Sequence, residues 1–110
     1  MIEETVKRLE QAIRRAGETD PRQAEELIKL LEQLKAEVRT LPQAYAEEAR
    51  SIAHFAEAAT HEAARAEKSK TLLEISRSGL KESVAGFEVS HPRLTHVVNQ
   101  ICNLLANMGI

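Results

Sequence analysis

The sequence predicts an all-α protein: an antiparallel helical hairpin followed by long helices that form a bundle, completed by dimerisation. Three observations carry this expectation. Alanine and straight-chain charged residues dominate the composition, whereas the 110 residues hold two Phe, one Tyr and no Trp; the first group favours helices, and strands prefer aromatic and β-branched residues. Apolar residues recur three and four apart through most of the chain, which is helical periodicity. After Arg93 no Lys, Arg, Asp or Glu occurs, and a helix without charges is expected to be covered on several sides. With few bulky side chains one copy is short of apolar burial, which points to a second.

Ile2, Val6, Leu9, Ile13 and Ala16 form the stripe of a first helix, with Gly17 as its C-terminal cap. In "ETDP", Asp20 is set to cap a second helix and Pro21 to open it. Ala24, Leu27, Leu31, Leu34, Val38 and Leu41 make its stripe, Ile28 and Leu30 widen it, and Pro42 closes it. These two helices, residues 1–42, should pair as an antiparallel hairpin.

A long Ala-rich helix follows within residues 43–69, reaching to about 67. Its stripe is Tyr45, Ala49, Ile52, Ala56, Ala59, Ala63 and Ala66, with Phe55 just beside it. Mostly small, this face should let a neighbouring helix approach closely. "EKSK" interrupts the pattern, and whether residues 43–87 form one helix or two stays open. The C-terminal pair occupies residues 70–110. Leu72, Leu73, Ile75, Leu80, Val84 and Phe87 resume the pattern, and Gly79 reads as either a close helix contact or a kink. Mid-helix, it costs about 1 kcal/mol relative to alanine. A break is expected at Ser90-His91-Pro92, because proline keeps the residue before it out of helical angles. Pro92 then opens the last helix, with Ser90 or His91 as cap. Leu94, Val98, Ile101, Leu105 and Met108 are its seam, Val97 and Leu104 broaden it, and Gly109 and Ile110 finish it.

"GLKESVAGFEVSHPRL", "VVNQI" and "NLLANMGI" resemble a bacterial domain-of-unknown-function family, number 4404. Its members are short helical proteins with phenylalanine-glutamate, histidine-proline-x-leucine and asparagine-x-glycine-isoleucine signatures near the end. Phe87, Glu88, His91, Pro92, Leu94, Asn107, Gly109 and Ile110 match these. "EEARSIAHFAEAATHEAARAEKSKTLLEIS" is similar to a longer subgroup, which has a lysine-asparagine-proline break where this chain has Lys68, Ser69 and Lys70. The resemblance spans residues 43–110. It implies a small all-α protein and no particular activity.

The chemistry is sparse. Residues 1–42 hold nine acids and eight bases, and residues 43–110 eight and seven. With no run of one sign, neither a nucleic-acid footprint nor a basic membrane face is written in the charges. No apolar stretch nears the roughly 20 residues that span a bilayer. The N-terminus does not read as a signal peptide, and Cys102 is the sole cysteine, so a cytoplasmic location is expected. "HEAAR" lacks the second histidine of a zinc-protease helix, having Arg65 in its place. His54, Glu57 and His61 share a face and form a weak metal candidate, but Glu47, Arg50, Arg65 and Lys68 lie on the same polar stripe.

His91 reads as a cap, His96 as a polar partner at a packing edge, and Cys102 as a small hydrophobe. A Cys102–His96 nucleophilic pair diverges around the helix. Asn99, Asn103 and Asn107 form a ladder that is either an exposed uncharged face or a register-fixing interface. Leu94, Val98, Ile101, Leu105 and Met108, with Asn99 and Asn103, are the candidate interface residues. The expectation is a self-associating protein–protein interaction or scaffold module, dimeric, with no catalytic activity and no cofactor. Its rivals are a DNA-associated regulator reading bases with Arg93, Asn99, Gln100 and Asn103, and a metal- or small-ligand-binding bundle.

Overall fold

The structure, a computed structural model, describes residues 2–15, 20–65 and 67–108. Regular structure among them is entirely helical: α1 (Ile2–Arg15), α2 (Pro21–Arg39), α3 (Ala46–Ala64), α4 (Lys70–Ser83) and α5 (Pro92–Met108), with short 3-10 turns at Gln43–Tyr45 and Ala85–Phe87. The side chain of Ile2, and Ala16, Gly17, Ala66, Gly109 and Ile110, which the sequence reading used, lie outside the described residues.

Local chemistry starts α2 where "ETDP" predicts. Asp20 Oδ1 accepts the Arg22 backbone N–H at 2.8 Å, and Pro21 occupies the first turn. Val6, Leu9 and Ile13 of α1 are buried, as are Leu27, Leu31 and Leu34 of α2. Ion pairs join the two helices at both ends, Arg14 to Glu25 at 3.6 Å and Arg39 to Glu3, so the hairpin is antiparallel. Such exposed pairs contribute little each. The Arg39 hydrogen bond nonetheless holds the Glu3 carboxyl at about 2 instead of the usual 4.5. A lowered carboxyl pKa favours the fold above the unfolded value and ceases to do so as pH falls through the folded one. Urea midpoints of Glu3→Gln should therefore fall less steeply than those of the parent between pH 4.5 and about 2.

Residues 43–87 form two helices, and the first is shorter than the sequence suggested. Tyr45 belongs to the turn that precedes α3. At the other end Arg65 adopts extended angles (φ −65°, ψ 143°), and Ser69 caps α4 by accepting the Leu72 N–H on its Oγ at 3.2 Å. An N-cap of this kind contributes about 0.5–2 kcal/mol, so Ser69→Ala should lower stability by that amount in a denaturant titration. The alanine face performs as its size suggests: Ala53, Ala56, Ala59 and Ala63 are buried around Ile52, and α4 lies alongside α3.

Gly79 marks a close helix contact. A Cβ at that position would collide with the Phe55 ring. The face that α4 buries is rotated from the expected one: Leu73, Ser76 and Leu80 are inside, while Leu72 and Ile75 are 45% and 61% exposed. Ser76 tolerates burial because its hydroxyl donates to the Leu72 carbonyl at 2.7 Å. Thr60 of α3 is different: its Oγ1 is buried without a partner. An unpaired buried hydroxyl costs about 1–3 kcal/mol, so Thr60→Val is expected to raise the denaturation midpoint without changing the slope.

Leu94, Val97, Val98, Ile101, Leu104, Leu105 and Met108 of α5 are all buried. Consecutive contacts run α1–α2–α5–α4–α3 and back to α1, and α5 also reaches across to α3. The charge-poor helix is thus covered by α2, α3 and α4 of its own chain. This revises the interface assignment. The apolar candidates Leu94, Val98, Ile101, Leu105 and Met108 form intramolecular core and offer no outer face, whereas Asn99 and Asn103 remain exposed. The radius of gyration, 13.0 Å, is that of a chain this long packed around one core.

Candidate functional site

Four places gather the residues of interest. The first is the corner between α4 and α5. Phe87 N–H donates to Val84 O at 2.9 Å, and His91 N–H donates to Phe87 O at 2.8 Å, folding residues 84–91 into successive turns. His91 then serves α5 through its backbone, accepting the Thr95 N–H at 3.3 Å. Its ring packs edge-on to Phe87, with centroids 5.3 Å apart, and Phe87 packs edge-on to Tyr45 at 5.2 Å. Ser90 Oγ meets His91 Nδ1 at 2.9 Å. This cluster ties the turn before α3 to the joint before α5. Phe87, at its centre, is 5% exposed. Glu88, next in the chain, is exposed.

The second place is an open groove of about 660 Å³ between α1 and α3, lined by Arg8, Leu9, His54, Glu57, Ala58, His61 and Glu62. All three members of the weak metal candidate are here. They do not form a metal centre: Glu57 is ion-paired to Arg8 at 3.3 Å, and seven helical residues separate the histidines by about 10 Å. Among the described residues no group of three His, Cys, Asp or Glu side chains is placed to hold a metal. The parent chain should therefore melt at the same temperature with and without zinc; a zinc-dependent rise that the double variant His54→Ala/His61→Ala abolishes would contradict this.

The third place is the outer side of α5. His96, Asn99, Gln100, Asn103 and Asn107 are exposed on the single chain. Arg93, His96 and Gln100 border a groove of about 390 Å³ with Gln33 and Glu37 of α2. Cys102 lies on the inner side, fully buried, its thiol directed to the Arg77 carbonyl at 3.7 Å. Burial pushes its pKa up, and Lys81 and Arg77 oppose that only in part. A buried thiol held protonated is a poor nucleophile, and His96, out in solvent, does not pair with it.

The fourth place escaped the sequence reading. Phe55, 39% exposed, lies over Gly79, and Leu72 and Ile75 emerge from the same side of α4. Among the described residues these three account for most of the large apolar side chains left exposed, the others being Tyr45 and Val89. Its signal in the sequence is the spacing Leu72, Ile75, Gly79, which runs directly beside the buried Leu73, Ser76, Leu80 and is hard to separate from it by periodicity.

The sequence model of a family described as a domain of unknown function, DUF4404, matches residues 27–110. The chain belongs to DUF4404. The DUF4404 match takes in most of α2 and all of α3, α4 and α5, and so includes the aromatic corner and the apolar strip. No curated protein and no solved structure matches the chain. No helix among the described residues is long and apolar enough to cross a membrane.

Proposed function

We propose that this chain is a protein–protein interaction module that self-associates, acting as a small dimeric scaffold without catalytic chemistry in the bacterial cytoplasm. One observation carries the reading: after the core has closed, Phe55, Leu72 and Ile75 still stand together at the surface between α3 and α4. A contiguous exposed apolar group rimmed by polar residues is the usual mark of a binding surface. Aromatic and aliphatic anchors of this kind supply most of the energy of such contacts. The grooves beside α1 and α5 mix histidine and charged side chains with apolar ones, Leu9 and Ala58 in the first and Pro92 and Val97 in the second.

A near-neutral chain lacks the counterion-release term that dominates DNA affinity, and Arg93 shares its groove with Glu37. Sedimentation velocity from low to high micromolar concentration tests the reading. A mass that rises from one copy to two supports it; one copy throughout at high concentration ends it.

A further inference from the structure

We infer that α1 is the built-in occupant of a helix-binding groove between α2 and α3, and that the groove takes in its place an amphipathic helix of a partner protein with the same order of apolar and charged residues. The groove lies apart from the exposed strip between α3 and α4 and does not depend on self-association.

α1 has 14 residues, about 21 Å of helix, and packs on α2 and α3. Among the described residues it turns three apolar side chains inward, Val6, Leu9 and Ile13, whereas α2 buries six. Its seat on α3 is open along the edge. A groove of about 660 Å³ separates Arg8 and Leu9 from His54 and His61, and another of about 150 Å³ runs from Thr5 and Arg8 to Ala53. The remaining ties are ion pairs between exposed side chains, Glu3 to Arg39, Arg8 to Glu57 at 3.3 Å and Arg14 to Glu25 at 3.6 Å. Such pairs contribute little each.

One rim contact works against α1. Glu10 and Glu32 meet across the α1–α2 boundary: the hydrogen bond to Glu32 pushes the Glu10 carboxyl up, and the same bond, with Lys35, holds Glu32 down. With both ionised, two like charges face each other, and Arg14, Lys35 and Arg39 offset them only in part. A helix with few buried anchors and mostly exposed ties opens locally before the core does. The boundary of the DUF4404 match follows the same line. Residues 27–110 include α2 from Leu27 onward and the whole of α3, and leave α1 outside.

The seated helix describes the partner. Anchors at i, i+3 and i+7, here Val6, Leu9 and Ile13, enter the groove, the spacing by which grooves recognise amphipathic helices. A carboxylate three residues before the first anchor meets Arg39, a base two residues after it meets Glu57, and a base directly after the last anchor meets Glu25. An acid at the start and a base at the end also suit the helix dipole, so one orientation is selected. While α1 is seated, a partner reaches only the open fraction of molecules, and its apparent affinity falls by that fraction.

A fluorescent peptide of residues 1–17 is the probe, with anisotropy against the full chain as the readout. The parent should bind it. Leu9→Ala in the chain, which weakens the resident helix, should bind it at least ~10-fold more tightly, and a peptide carrying Leu9→Lys should not bind. Glu3→Cys/Arg39→Cys in a Cys102→Ala background, joined by a short bifunctional thiol reagent that reduction cleaves, fastens α1 in place. The fastened chain should refuse the peptide and accept it once reduced. Binding by the fastened chain as strong as by the reduced one puts the peptide elsewhere and overturns the assignment. Parent and Leu9→Ala chains that both leave the peptide free at high micromolar concentration overturn it as well.

Discussion

Ile101→Ala is expected to lower the unfolding free energy by about 2–5 kcal/mol, the range for truncating a fully buried aliphatic side chain. Ile101 is 0% exposed in the middle of α5, and α5 is packed against α2, α3 and α4. A cavity enclosed by helices on three sides is filled only in part by relaxation of its walls. Domains of this size are stable by about 5–15 kcal/mol in all, so one truncation removes a large share. Asn103→Ala, two residues on and exposed, is the control and should change stability by no more than about 0.5 kcal/mol. Urea titrations of the two variants check the contrast. Equal effects would mean that α5 has no distinct inner and outer sides.

Phe87→Ala should cost a similar or larger amount, about 3–5 kcal/mol. The ring is 5% exposed and has edge-on aromatic neighbours on both sides, Tyr45 at 5.2 Å and His91 at 5.3 Å. Aromatic pairs of this geometry are worth about 0.5–1.5 kcal/mol beyond the area they bury. Removing Phe87 breaks both pairs and loosens two joints together, the turn into α3 and the turn into α5. Glu88→Ala, at the adjacent exposed position, should leave the denaturation midpoint where it is. A Phe87→Ala midpoint unchanged from the parent would show that the corner is held by backbone turns alone.

What was legible in the sequence was mostly local. Asp20-Pro21 and Ser90-His91-Pro92 set helix starts within a few residues of themselves, through a side-chain cap in one case and the proline restriction in both. Ser69 carries the same kind of signal, but Lys68 and Lys70 beside it read as a plain polar interruption, which hides the α3–α4 break. Periodicity placed α5 inside and misplaced α4 by part of a turn. A buried serine, Ser76, occupies a position where an apolar residue was sought, and Leu72 and Ile75 are apolar where the surface lies.

The Tyr45–Phe87–His91 cluster could not be read from spacing, since Tyr45 is remote in sequence from the other two and meets them only when α3 and α5 have packed. The absence of charge in α5 after Arg93 pointed to enclosure. Its outer amides, Asn99, Asn103 and Asn107, show that an uncharged residue need not be a covered one.

The enclosure of α5 within a single chain is the claim on which the fold and the placement of the binding surface both stand. Hydrogen exchange on the Ile75→Lys variant, kept dilute and monomeric, measures it directly. Backbone amides in the body of residues 94–108 should be among the slowest in the protein, opening only with global unfolding, and their rates should not depend on protein concentration. Exchange there as fast as at exposed helix ends, or protection that develops only as concentration rises, would contradict it.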